Sequence, residues 1–132
     1  MEPARQCRTS LYMRSTDLAA MRERCVALIE IHHKNPEVSP VWLAQELFVS
    51  RRQLDRAFSG EQGVAEVLAR RRLSQVVVIA ARHPSIPMSA IAEHCGYGTY
   101  ETFRAQCHRY LNRTPREARR DHRRILAVSL AA

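Results

Sequence analysis

Two metal-ligating pairs bracket one short stretch, HCGYGTYETFRAQCH, with His94-Cys95 at its start and Cys107-His108 at its end. Two thiols and two imidazoles form a zinc donor set, and two thiols alone form a redox couple. The spacing argues against both. No Cys-x-x-Cys occurs among Cys7, Cys25, Cys95 and Cys107. Ile91, Ala92 and Cys95 share one helical face, as do Phe103 and Cys107, which stand four residues apart. Both thiols are therefore expected inside one small core as buried hydrophobes, a role free cysteine fills well. His94 and His108 then lie on other faces, where the four donors do not converge. No cofactor or metal is expected; the competing reading is a thiol or metal sensor built on Cys95 and Cys107. Other catalytic patterns are missing. Gly96-x-Gly98 lacks a third glycine and a preceding strand, so it is no nucleotide loop. His32 and His33 are adjacent and cannot share a helix face. No nucleophile, base and acid stand at a recognisable spacing, and no enzyme activity is expected.

The elements that position these residues read as helices throughout, with no alternating strand pattern. Leu18, Met21, Cys25, Leu28, Ile29 and His32 recur at three- and four-residue spacing, after a start at Thr16-Asp17. Ser39-Pro40 opens a short helix to about Leu47. Ser50 caps another from Arg51 to about Ser59, and Gly60 and Gly63 stop it. A long helix from Ala65 to about Arg82 carries Arg70-Arg71-Arg72 and ends at His83-Pro84. Met88 to Cys95 and Thr99 to Tyr110 form a second short–long pair around the break Gly96-Tyr97-Gly98. Thr114-Pro115-Arg116-Glu117 is a capping box for a last helix to about Leu126. The division predicted is a flexible lead-in at 1–15, a first unit at 16–64, a linker helix at 65–83, a second unit at 84–126 and a loose tail at 127–132.

Charge narrows the function classes. The 132 residues carry a net charge of +8. Residues 1–66 hold nine basic and nine acidic side chains, whereas residues 67–132 hold twelve against four. Twenty of the 21 cations are arginine, whose planar fork binds phosphates and guanine edges bidentately. An anionic polymer is the implied partner. No apolar run reaches the roughly 18 residues of a membrane span, and MEPARQCRTS has no secretory core, so no membrane partner and a reducing cytoplasm are expected.

An internal repeat sharpens this. Leu43-Ala44-x-x-Leu47 corresponds to Ile91-Ala92-x-x-Cys95 at a shift of 48, and Leu54 and Phe58 correspond to Phe103 and Cys107 at a shift of 49. A small residue midway along the first helix, an apolar residue at its end, and two apolar anchors four apart in the next helix make a helix-turn-helix pattern. Two such units joined by an arginine-bearing helix, with Arg71-Arg72-Leu73, Ile91-Ala92-Glu93-His94-Cys95-Gly96-Tyr97, Phe103 and Arg113-Thr114-Pro115, resemble the DNA-binding domain of the AraC/XylS family of bacterial transcription regulators. The resemblance covers roughly residues 17–120. It implies an all-α fold of about seven helices, in which two helix-turn-helix units are tied by a linker helix. It also implies a monomer on double-stranded DNA, recognition helices in successive major grooves about 34 Å apart, and activation through nearby RNA polymerase. With only a short lead-in, the chain looks like a small single-domain regulator or an excised domain.

Several positions depart from the family pattern. Phe48 stands where glycine is usual and a left-handed backbone is favoured; either the turn differs or burial of the ring offsets the strain. Pro87 replaces a capping serine, Cys107 a phenylalanine, Asn112 a glycine and Ala118 an aromatic, and the segment from Gly63 to Leu73 is about two residues short.

The DNA-contact candidates are Arg51, Arg52, Asp55 and Arg56 on the first recognition helix, and Tyr100, Glu101, Arg104 and His108 on the second. Arg52, Arg56 and Arg104 are suited to guanine or phosphate, and Asp55 and Glu101 to cytosine N4. Arg70, Arg71 and Arg72 cannot all face one way; one is expected to pack internally, and Arg72 is placed with the DNA-contact set. Arg116, Arg119, Arg120, Arg123 and Arg124 crowd the last helix. Ser39, Ser50, Thr99 and Thr114 are read as caps. The rival class is a protein-interaction module, using a diverged tandem helix-turn-helix to bind polymerase, a sigma factor or another regulator.

Overall fold

The computed structural model describes residues 15–60 and 62–131; the expected lead-in, Ser15 apart, and Cys7 lie outside the described residues. Seven α-helices and no strand occur among those residues. They are α1 (Ser15–His32), α2 (Pro40–Glu46), α3 (Arg51–Ala57), α4 (Val64–Arg82), α5 (Met88–His94), α6 (Tyr100–Gln106) and α7 (Pro115–Ala131). A π-helical turn, Cys107–Leu111, prolongs α6.

Local chemistry sets most of these bounds. Ser39 Oγ accepts from Trp42 N at the head of α2, and Pro40 follows at the first helical position, where its missing N–H costs nothing. Ser50 and Gln53 form a reciprocal capping box at α3. Thr99 accepts from Thr102 N at α6, and Thr114 and Glu117 cap α7 reciprocally. Pro87 precedes α5 without a side-chain cap. Two ends differ from expectation. The first helix is already formed at Ser15, so Asp17 lies in its first turn rather than before it. The last helix runs on to Ala131 instead of ending near Leu126, because Ala127-Val128-Ser129-Leu130-Ala131 contains no Gly or Pro to stop it.

The two helix-turn-helix turns are built alike. Val49 N donates to Ala44 O at 3.0 Å, and Tyr97 N donates to Ala92 O at 3.0 Å. These matching bonds close a left-handed turn at Phe48 (φ 58°) and at Gly96 (φ 105°). The departure at Phe48 therefore does not change the turn. Nor is its ring buried: Phe48 is 92% exposed, so the expected compensation by burial is absent. Asn112 ends the π turn at φ 54°, the left-handed conformation that Asn tolerates better than most residues.

The core has two centres. Cys25, Ile29, Leu43, Leu54, Phe58 and Leu68 anchor the first. Leu73, Val76, Ile91, Cys95, Phe103 and Cys107 anchor the second. Helix α4 serves both, with Val64 and Leu68 in one and Leu73, Val76 and Ala80 in the other.

The repeat extends beyond the hairpins. Arg72, on α4, donates from Nε to His33 O and from Nη2 to Asn35 O and Val38 O, closing the loop between α1 and α2. Arg119, on α7, donates from Nε to Ala80 O and from Nη2 to His83 O and Ile86 O, closing the loop between α4 and α5. Each guanidinium holds three carbonyls of the loop it closes, and of the six only Ala80 O lies in the last turn of a helix. Helix α4 thus closes the first unit as α7 closes the second.

Candidate nucleic-acid interface

Capping at Ser50 and packing of Leu54 and Ala57 present the opposite face of α3 to solvent. Arg51, Arg52, Asp55 and Arg56 are all exposed there. Arg51 Nε pairs with Asp55 Oδ1 at 3.0 Å, one helical turn away. That exposed pair contributes little stability, but it orients one arginine and partly neutralises it. The guanidinium groups of Arg52 and Arg56 make no ion pair or hydrogen bond among the described residues, while the Arg56 carbonyl accepts from Ser59.

Glu101 and Arg104 on the face of α6 opposite Phe103, and His108 on the π turn that prolongs it, line one cleft with Arg113, Thr114 and Pro115, which lead into α7. Tyr100 is not among them. It lines a smaller recess beside α5, and its ring lies tilted 5.6 Å from that of Phe103. Arg113, which stood in the sequence only as part of the motif Arg113-Thr114-Pro115 and not among the contact candidates, also lines this cleft. It reaches the cleft from the loop after the π turn, and it is anchored by Asp121 Oδ2 at 2.9 Å. The capping motif at Thr114 was the only signal that a helix would begin beside α6.

Arg72 requires a correction. It was expected to face DNA, but it is 7% exposed and its guanidinium is held by three backbone carbonyls. A buried charge must keep such partners, so it cannot reach a phosphate. Its neighbours are engaged too. Arg70 pairs with Glu66 and lies over the Tyr110 ring, and Arg71 bonds Glu30 on α1. On α7, Arg119 is drawn into its carbonyl clamp, whereas Arg116, Arg120, Arg123 and Arg124 are exposed.

The cysteines of the bracketed stretch are core residues. Cys95 and Cys107 are 0% exposed, and His94 and His108 face solvent. Burial raises the pKa of both thiols, that of Cys107 to about 11, which keeps them protonated and poor nucleophiles. No group of three or more His, Cys, Asp or Glu side chains is placed to hold a metal ion among the described residues.

Two helix–turn–helix hairpins, each closed by a following helix, define an all-α DNA-binding class. A family model for a helix-turn-helix domain of the AraC type matches residues 43–121, and the chain belongs to that family of DNA-binding transcription regulators. Neither the curated proteins nor the solved structures give a match. No helix among the described residues is long and apolar enough to cross a membrane.

Proposed function

We propose that the protein binds double-stranded DNA sequence-specifically, with α3 and α6 as recognition helices in successive major grooves of a bipartite site. The observation that carries this is the pairing of a capped, arginine-bearing helix with an equivalent second helix on one scaffold. Arg52 and Arg56 are free to fork onto guanine or phosphate, and Arg51 is oriented by Asp55. Arg104 on α6 and His108 on the π turn after it offer donors, and Glu101 accepts from cytosine or repels a wrong phosphate. The two units belong to a protein that acts as a monomer on its site and touches RNA polymerase from it. No catalytic step is part of this reading. Selection from random duplexes tests it. A bipartite motif with its halves about one DNA turn apart is expected; binding that stays non-specific at every salt concentration would reject it.

A second reading is favoured by one residue. Phe48, strained and 92% exposed in the first turn, suits a contact with another protein, such as polymerase or another regulator. On that reading Phe48→Ala abolishes partner binding and leaves duplex binding untouched.

A further inference from the structure

The turn of the second helix-turn-helix is seated on the first unit. Gly96 is buried at φ 105°, and a Cβ there would lie 2.2 Å from the His33 carbonyl oxygen, 2.9 Å from Arg72 Nε and 3.1 Å from the Lys34 carbonyl carbon. Backbone meets backbone at this point, between the end of α1 and the turn before α6. No side chain larger than hydrogen fits. The same spot receives Arg72, which bonds His33 O at 2.8 Å, Asn35 O at 2.9 Å and Val38 O at 3.0 Å. Val38 directly precedes Ser39, the cap of α2. On the other side, Tyr97 is 3% exposed and its hydroxyl donates to Gln106 Oε1, at the end of α6, at 2.7 Å. Arg71 adds a bond from α4 to Glu30 of α1. A continuous run of short contacts therefore joins the start of α2 to the end of α6 through one guanidinium and one glycine.

Packed into both cores, α4 alone would hold the two units together only through its own bending stiffness between Leu68 and Leu73. This seam limits that bending. We infer that Arg72 and Gly96 are positioning residues that fix the distance and angle between α3 and α6, so that the protein discriminates DNA sites by the spacing of their halves. The inference deepens the DNA-binding reading and rests on it for its consequence, but the seam itself can be measured without DNA. Arg72 acts through the helices it places and touches no base.

Two arms test it. In the free protein, spin labels on Arg56→Cys and Ala105→Cys, with Cys7→Ser, report the distance between α3 and α6. One narrow distribution is expected, broadened in Arg72→Gln. A broad distribution in the otherwise unaltered chain overturns the inference, as does an unchanged width in a folded Arg72→Gln. Arg72→Lys keeps the charge but not the planar fork and is the gentler variant; an intermediate width is expected from it, and an unchanged width counts against the seam. In the second arm, duplexes carrying the selected halves are lengthened by one base pair at a time. The unaltered protein is expected to lose about 100-fold in affinity for one inserted pair, as when one half-site is forfeited. Arg72→Gln is expected to lose affinity for the native spacing and to flatten that dependence to about 10-fold. A profile of the same steepness in both proteins overturns the inference. If no duplex is selected but the label distances behave as expected, the DNA reading fails and the seam stands.

Discussion

Phe48 and Gly96 occupy equivalent positions, 48 residues apart, and have opposite requirements. At Gly96 both the torsion and the neighbouring His33 carbonyl exclude a side chain. At Phe48 only the torsion objects, since its ring projects into solvent. Replacing a non-glycine residue at positive φ relieves about 1–2 kcal/mol, less the extra freedom glycine gains in the unfolded chain. Phe48→Gly is accordingly expected to stabilise the protein by about 1 kcal/mol, read from the urea midpoint at unchanged slope. His33 sits beside the seam, 4% exposed, with no hydrogen-bond partner for Nδ1. Burial, then Arg71, with smaller contributions from Lys34 and Arg72, lowers its pKa, and Glu30 opposes them. With the folded value depressed, the unfolded chain takes up the proton first as pH falls. Stability is then full above the ordinary histidine pKa and is lost as pH drops toward the folded value. Urea titrations between pH 8 and pH 5 should show this loss, and His33→Gln should reduce it.

At the scale of elements, α3 and α6 share their capping and their apolar anchors, but not their charge. Helix α3 exposes three arginines with one aspartate, whereas α6 exposes Arg104 with Glu101. Neutralising one phosphate contact reduces the salt slope of binding by about one. Arg52→Ala is expected to cost more affinity, across a salt series, than Arg104→Ala. Equal losses would show that α6 carries as much of the binding as α3. The cleft between α6 and α7 qualifies the comparison, because Arg113 adds a cation that α6 itself lacks. The helices and most caps were legible in the sequence because caps are local: Thr114 and Glu117 stand three residues apart, and Ser50 directly precedes its helix, although the return bond from Ser50 N to Gln53 was not read. The extension of α7 to Ala131 and the π turn after α6 were not, since neither has a breaker or cap that marks it.

At the scale of the molecule, α4 belongs to both cores, and Arg72 ties it to the α1–α2 loop as Arg119 ties α7 to the α4–α5 loop. The two units should therefore unfold together. Trp42, the one tryptophan, packs against the first core and reports on that unit, while far-UV circular dichroism reports on all helices. Coincident urea transitions are expected from the two probes. Leu73→Ala, at 1% exposure, should move both by about 2–5 kcal/mol. The sequence by itself determined the all-α class, the repeat, the turn at Gly96, and the burial of Cys95 and Cys107, because helical periodicity and capping depend on residues a few positions apart. It did not determine the turn at Phe48, which is kept with the ring exposed. Tertiary structure alone decided what each arginine does. Arg70, Arg71 and Arg72 are identical in the string, yet one lies over Tyr110, one bonds Glu30, and one is buried against three carbonyls. An arginine's role follows from which distant acceptors the fold brings within reach, and those lie 34 to 41 residues away for Arg71 and Arg72.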